Sequence, residues 1–138
     1  MKESNLKLGR ISRDVERSLG IALTSSVIVT MEEECLNGLA KDHPDAYLRV
    51  LSEIGAILRQ PDFVGFNEEN ERFVYIRFYA KKTQFRLVAV EIIHQKEKGS
   101  AAKNWVFQRL WCPSEEEIAT LLMAMEFKRI SKKSVQEA

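Results

Sequence analysis

His43 stands immediately before Pro44 and is one of only two histidines among the 138 residues. An imidazole changes charge near neutral pH, so it can serve as a general acid or base. The bland alternative is a surface histidine that only helps to cap a helix joint. His94 closes an apolar run beside a charged loop, and a solvated strand end is expected for it. Two other segments alternate rings with guanidinium groups: Phe73-x-Tyr75-x-Arg77-x-Tyr79 and Trp105-x-Phe107-x-Arg109-x-Trp111. Such a face suits RNA, because bases stack on the rings while the cations meet phosphates. Tyr75, Tyr79, Trp105 and Phe107 are the stacking candidates, and Lys81, Lys82 and Arg86 extend the cationic surface from the adjoining hairpin. Lys96, Lys98 and Lys103 lie in the next loop. The competing reading places these rings in a core layer beneath a helix, since apolar patches of that size are uncommon on the surface of a monomer.

Other chemistries lack the residues they need. There is no Gly-rich phosphate loop, no HExxH, no paired Cys at zinc spacing and no nucleophile elbow, so no metal or cofactor is expected. Basic and acidic side chains nearly cancel, 21 against 20, so a nucleic-acid surface must come from local segregation of charge. Cys35 on an apolar helix face and Cys112 at the end of an apolar run are expected to be buried, reduced thiols. Every apolar run is shorter than the roughly 18 residues a membrane span requires, which suggests a cytoplasmic chain with no membrane partner.

These residues must be positioned by two helices and a set of strands. Thr30 and Glu33 have capping-box spacing, and Met31, Cys35, Leu36 and Leu39 follow at helical intervals. Pro44 suits the first position of a second helix, on which Tyr47, Val50, Leu51, Ile54, Ile57 and Leu58 share one face. That helix stops at the turn signal Gln60-Pro61-Asp62. Earlier in the chain, Ser12 to Gly20 reads as a short capped helix, and Ala22 to Thr30, with its β-branched run Val27-Ile28-Val29, as a first strand.

After the polar loop Asn67 to Glu71 the period becomes two. Strands are predicted over 73–80, 85–94 and 105–112, joined as a meander. In the first, Phe73, Tyr75, Arg77 and Tyr79 share a face. The second is apolar on both faces and should be central, with Glu91 on the side opposite Arg86, Val88 and Val90. In the third, Trp105, Phe107, Arg109 and Trp111 should share a face. Ser114 and Glu117 then form a capping box for a last helix. The expected fold is α+β in a single domain over residues 1–138, with helices packed on one face of a small, mainly antiparallel meander and loose ends at 1–11 and 130–138.

The block DHPDAYLRVLSEIGAILRQPDFVGFNEEN, from Asp42 to Asn70, together with the strands after it, resembles the phage-associated nucleases of the barnase, EndoU, colicin and RelE type. The likeness spans residues 27 to 112 as an order of elements. It implies a toxin-like endoribonuclease that cleaves RNA without a metal: a base activates the 2′-hydroxyl, an acid protonates the leaving oxygen, and cations stabilise the phosphorane, giving a cyclic phosphate. The resemblance makes His43 the general acid or base, and the Arg-rich strand face offers Arg77, Arg86 and Arg109 as phosphate clamps. Where the family often carries an earlier histidine this chain has Gly38 beside Asn37, so Glu91 or Arg77 would substitute. That departure motivates an alternative, a catalytically silent relative that binds RNA or a protein partner through the aromatic face. A neutralising protein, or a homodimer through the Trp and Phe face, are the other partners considered.

Overall fold

The computed structural model describes residues 6–23, 27–81, 84–96 and 103–130, and the side chains of Lys81, Gln84, Phe85 and Lys96 lie outside that description. In chain order the elements are β1 (Leu6–Arg10), α1 (Arg13–Leu19), β2 (Ile28–Met31), α2 (Glu33–Asp42), α3 (Tyr47–Arg59) and β3 (Phe63–Asn67). There follow β4 (Arg72–Lys81), β5 (Gln84–Lys96), β6 (Lys103–Trp111), α4 (Glu115–Ala124) and β7 (Phe127–Arg129). Among the described residues one seven-stranded sheet runs β1-β2-β6-β5-β4-β3-β7. All pairings are antiparallel except that of β2 with β6. The fold is α+β, β4, β5 and β6 form the predicted meander, and β5 lies at its centre.

Local chemistry sets several boundaries. Ser12 Oγ accepts the Val15 amide at 3.2 Å, and Gly20 ends α1 at φ 70°, a left-handed conformation that glycine adopts without a Cβ penalty. In α4 the Ser114 side chain accepts from the Glu117 amide at 3.1 Å, and the Glu117 carboxylate accepts from the Ser114 amide at 2.8 Å. Both caps are as the sequence implies.

Thr30 behaves otherwise. It is buried in β2, opposite Lys7 on one side and Val106 on the other, and α2 starts three residues later with Glu32 at its N-cap. Met31 belongs to the same strand and is fully buried. A strand that is sealed on both sides outweighs one side-chain cap of about 1 kcal/mol. Pro44 does not open α3 either. His43 ends α2, and its carbonyl accepts the Ala46 and Tyr47 amides at 3.0 and 2.9 Å, so residues 44 to 46 form a turn before the helix.

Two layers of apolar side chains lie on opposite sides of the sheet. On the first side, Val15 of α1 and Ile54, Ile57 and Leu58 of α3 pack against Val29, Phe73, Tyr75, Val90 and Trp105. Each such aliphatic contributes about 1.5–3 kcal/mol by leaving water. On the second side, Leu121 of α4 and Met125, its C-cap, cover Val74, Ile76 and Ala89. A Cβ at Gly65 would lie 2.8 Å from Met125 Sδ, so the bare backbone of β3 is what lets α4 approach. The helices are therefore divided between both faces, and the expectation of a single covered face is corrected. Ile76 and Val74 form an apolar stripe on the second face, and α4 supplies their cover.

Backbone pairing reaches into part of both ends. β1 pairs with β2 and carries Leu6 and Leu8 to the first layer, while Ile130 is buried beyond β7 and donates its amide to the Asp62 carbonyl at 3.0 Å. The rest of the predicted loose ends, 1–5 and 131–138, lies outside the described residues. Cys35 and Cys112 are both exposed rather than buried. Neither chain end nor thiol follows from hydrophobic period alone.

Candidate nucleic-acid interface

The basic corner of the first face is built from β4, β5 and α3. Tyr79 of β4 lies opposite Arg86 of β5, and Arg77 stands one alternation earlier on the same side. The guanidinium carbons of Arg77 and Arg86 lie 5.2 and 5.6 Å from the Tyr79 ring centroid. Arg77 Nη1 donates to the Ala56 carbonyl of α3 at 3.3 Å, and Arg86 Nη2 meets Glu53 Oε2 at 3.4 Å. Partial burial pushes the Tyr79 hydroxyl up, and Arg77 pulls it partly back; at neutral pH it is a donor rather than a base. The arrangement is a half-exposed ring between two cations.

The same contacts fix the direction of α3. Ala56 meets Arg77, while Glu53, nearly one turn nearer the helix start, meets Arg86 beside Tyr79. Moving along β4 toward its hairpin is thus moving back along α3 toward Tyr47. The His43-Pro44 turn precedes that helix end, and His43 is exposed there. Lys82, like Lys98, lies outside the described residues.

Glu91 and Arg109 are elsewhere. Glu91 pairs with Arg109 but Ile92 pairs with Phe107, which leaves Gln108 as an extra residue on β6. This bulge flips the alternation: Trp105 and Phe107 face the first layer, whereas Arg109 and Trp111 face the second. There Glu91 accepts from Arg72 Nη1 at 2.9 Å and from Arg109 Nε at 3.1 Å, and the Arg109 guanidinium lies 3.7 Å over Trp111. The expected single row of four residues does not exist. The sheet stands between His43 and Arg77 on one side and Glu91 and Arg109 on the other.

Burial removes two further stacking candidates. Tyr75 and Trp105 are 0% and 2% exposed and belong to the core, so no base can reach them. Phe107 is half-buried and packs on the same layer. His94 is not a solvated strand end: its ring stacks on Trp105 at 4.6 Å, and Nδ1 lies 3.4 Å from Glu71 Oε2. Of the proposed stacking rings, Tyr79 keeps an accessible position in the basic corner. Sequence reading missed Glu53, which holds Arg86, and Arg72, which shares Glu91. Arg72 was detectable in principle, because it falls on the same strand alternation as Val74, the partner of Glu91.

Among the described residues no three His, Cys, Asp or Glu side chains gather as a metal site, and no helix is long and apolar enough to cross a membrane. No family model, curated protein or solved structure matches this chain.

Proposed function

We propose that this chain is a small endoribonuclease that cleaves by 2′-hydroxyl transesterification without a metal, acting at the basic corner of the first face. The supporting observation is the Arg77–Tyr79–Arg86 group beside α3, at the end of the sheet to which the helix polarity also directs the His43-Pro44 turn. A base of the substrate stacks on Tyr79. Arg77 and Arg86 meet the phosphate, where charge develops on the non-bridging oxygens of the phosphorane. His43 takes the proton of the 2′-hydroxyl as the 2′-oxygen attacks phosphorus, and the imidazolium returns it to the 5′-oxygen as that P–O bond breaks. Glu91 and Arg109 take no part, because the sheet separates them from the corner.

The test is cleavage of single-stranded RNA in EDTA, with the product ends analysed for cyclic phosphate. His43→Ala should lower the rate by about 10²–10⁴-fold while leaving RNA affinity within a factor of two or so. Equal rates in the two proteins would remove His43 from the mechanism.

One observation favours a second reading, in which the corner binds RNA without cleaving it. Glu91, named as a substitute for a second histidine, is held by two arginines on the far side of the sheet. Binding by the unaltered protein with no cyclic phosphate at any pH would select this reading.

A further inference from the structure

The second face keeps an apolar opening beside α4. Of the apolar residues of this helix only Leu121 is buried; Leu122 and Met123 are 60% and 89% exposed, and Ala119 and Ala124 are exposed beside them. A helix that is apolar on its outward side as well as its inward one is suited to burial on both. Next to Leu122 a cleft of about 290 Å³ opens over the sheet, floored by Phe63, Phe78, Leu87 and Phe127 and walled by Ile118 and Leu122. Exposed apolar side chains scattered singly need no partner, but here a projecting pair borders an apolar hollow on the same face.

The fold also sets the charges around this cleft. α4 follows β6 and leads into β7, so it crosses the face from the β5–β6 side to the sheet edge. Glu115, one turn before Ile118 and on its side of the helix, stands at the first end. Arg129 stands at the other, because it pairs with Phe63 and opposite residues of an antiparallel pair share a face. Both are exposed, and Glu126, the acidic side chain nearest Arg129 in the chain, is already held by Lys128 at 3.2 Å. The surface thus carries a projection, a hollow, an acidic end and a basic end, and a second copy turned end for end offers the complement of each. An anionic lipid surface would instead meet Glu115, Glu116 and Glu117 at the start of α4.

We propose that the α4 face joins two copies of this chain about a two-fold axis lying across the cleft. The two α4 helices run antiparallel, Met123 of each copy enters the hollow of the other over Phe63 and Phe78, and Glu115 of each meets Arg129 of the other. At 10 residues α4 is about 15 Å long, and the strands β5, β4, β3 and β7 beneath the cleft span about 14 Å. That footprint is smaller than a standard protein–protein interface, which sets the dissociation constant at about 10–100 µM. The pairing leaves the first face of both copies in solvent, so it stands or falls apart from the ribonuclease reading.

Sedimentation velocity of the full chain from about 5 µM to about 0.5 mM tests this, with circular dichroism to confirm that each variant is folded. The unaltered protein should pass from monomer to dimer across that range. Met123→Glu alters a side chain that is 89% exposed, so it leaves the fold intact and should weaken the dimer about tenfold or more. Glu115→Arg and Arg129→Glu should each weaken it about fivefold at low salt, and the two together should restore it, because the pair is exchanged rather than lost. A monomer throughout would overturn the proposal and leave the cleft to a different protein chain or an apolar ligand. A dimer unchanged by Met123→Glu would put the contact on another face and overturn it equally. Charge variants whose losses add rather than cancel would overturn the antiparallel arrangement.

Discussion

Arginine and aromatic rings meet on both faces of the sheet, but the cations are used differently. On the α4 face Arg72 and Arg109 converge on Glu91, whose side chain is 12% exposed, and Trp111 lies under one of them. On the α3 face Arg86 is 60% exposed and reaches Glu53 at 3.4 Å, while Arg77 bonds a backbone carbonyl. Each group sets two arginines against one carboxylate; they differ in burial, Arg72 and Glu91 being 22% and 12% exposed against 60% for Arg86. A pattern of Arg and rings therefore signals binding only where the cations themselves stay in solvent.

Removing that carboxylate should expose the contrast most strongly. Glu91→Ala leaves Arg72 partly buried without a counter-charge, and we expect a loss of about 3 kcal/mol in urea unfolding, with RNA affinity unaltered. A loss below about 1 kcal/mol would mean that the cluster is no more structural than the corner.

Within β4 the same contrast recurs between Tyr75 and Tyr79. Tyr75 is fully buried, its hydroxyl has no partner among the described residues, and burial pushes its pKa far up. A tyrosine in the unfolded chain loses its proton near pH 10, whereas the folded protein keeps the Tyr75 proton. The folded state then binds more protons than the unfolded one, so stability falls as pH rises, by about 1.4 kcal/mol per unit above about pH 10. Tyr75→Phe should show a shallower decline, and parallel declines in the two proteins would deny the sealing of this ring.

Arg86→Ala should have the smallest effect on folding, below about 0.5 kcal/mol, because its ion pair is largely solvated. Its effect should appear instead as weaker RNA binding. A large loss of stability with unchanged binding would reverse the roles assigned to the two faces.

Much of the frame was legible from residue spacing. Ser12, Gly20, Ser114 and Glu117 mark helix ends by local hydrogen bonding, and the stripe Ile54, Ile57, Leu58 marks the buried face of α3. What failed depended on distant partners. Thr30 looks like a cap until Val106 takes the place beside it, and β1 and β7 are too short to show an alternation before β2 and β3 pair with them. The site suffered most from Gln108. One inserted residue inverts every later side chain of β6, and its local mark is Gln108 itself, a polar residue that interrupts the face of Val106 and Leu110.

The parallel pairing of β2 with β6 has a consequence for how the molecule is assembled. Val29 finds its neighbour at Trp105, so the opening hairpin of the chain has no permanent seat until the third strand of the meander exists. Closure of the long loop between Val29 and Trp105 makes folding slow relative to a meander alone.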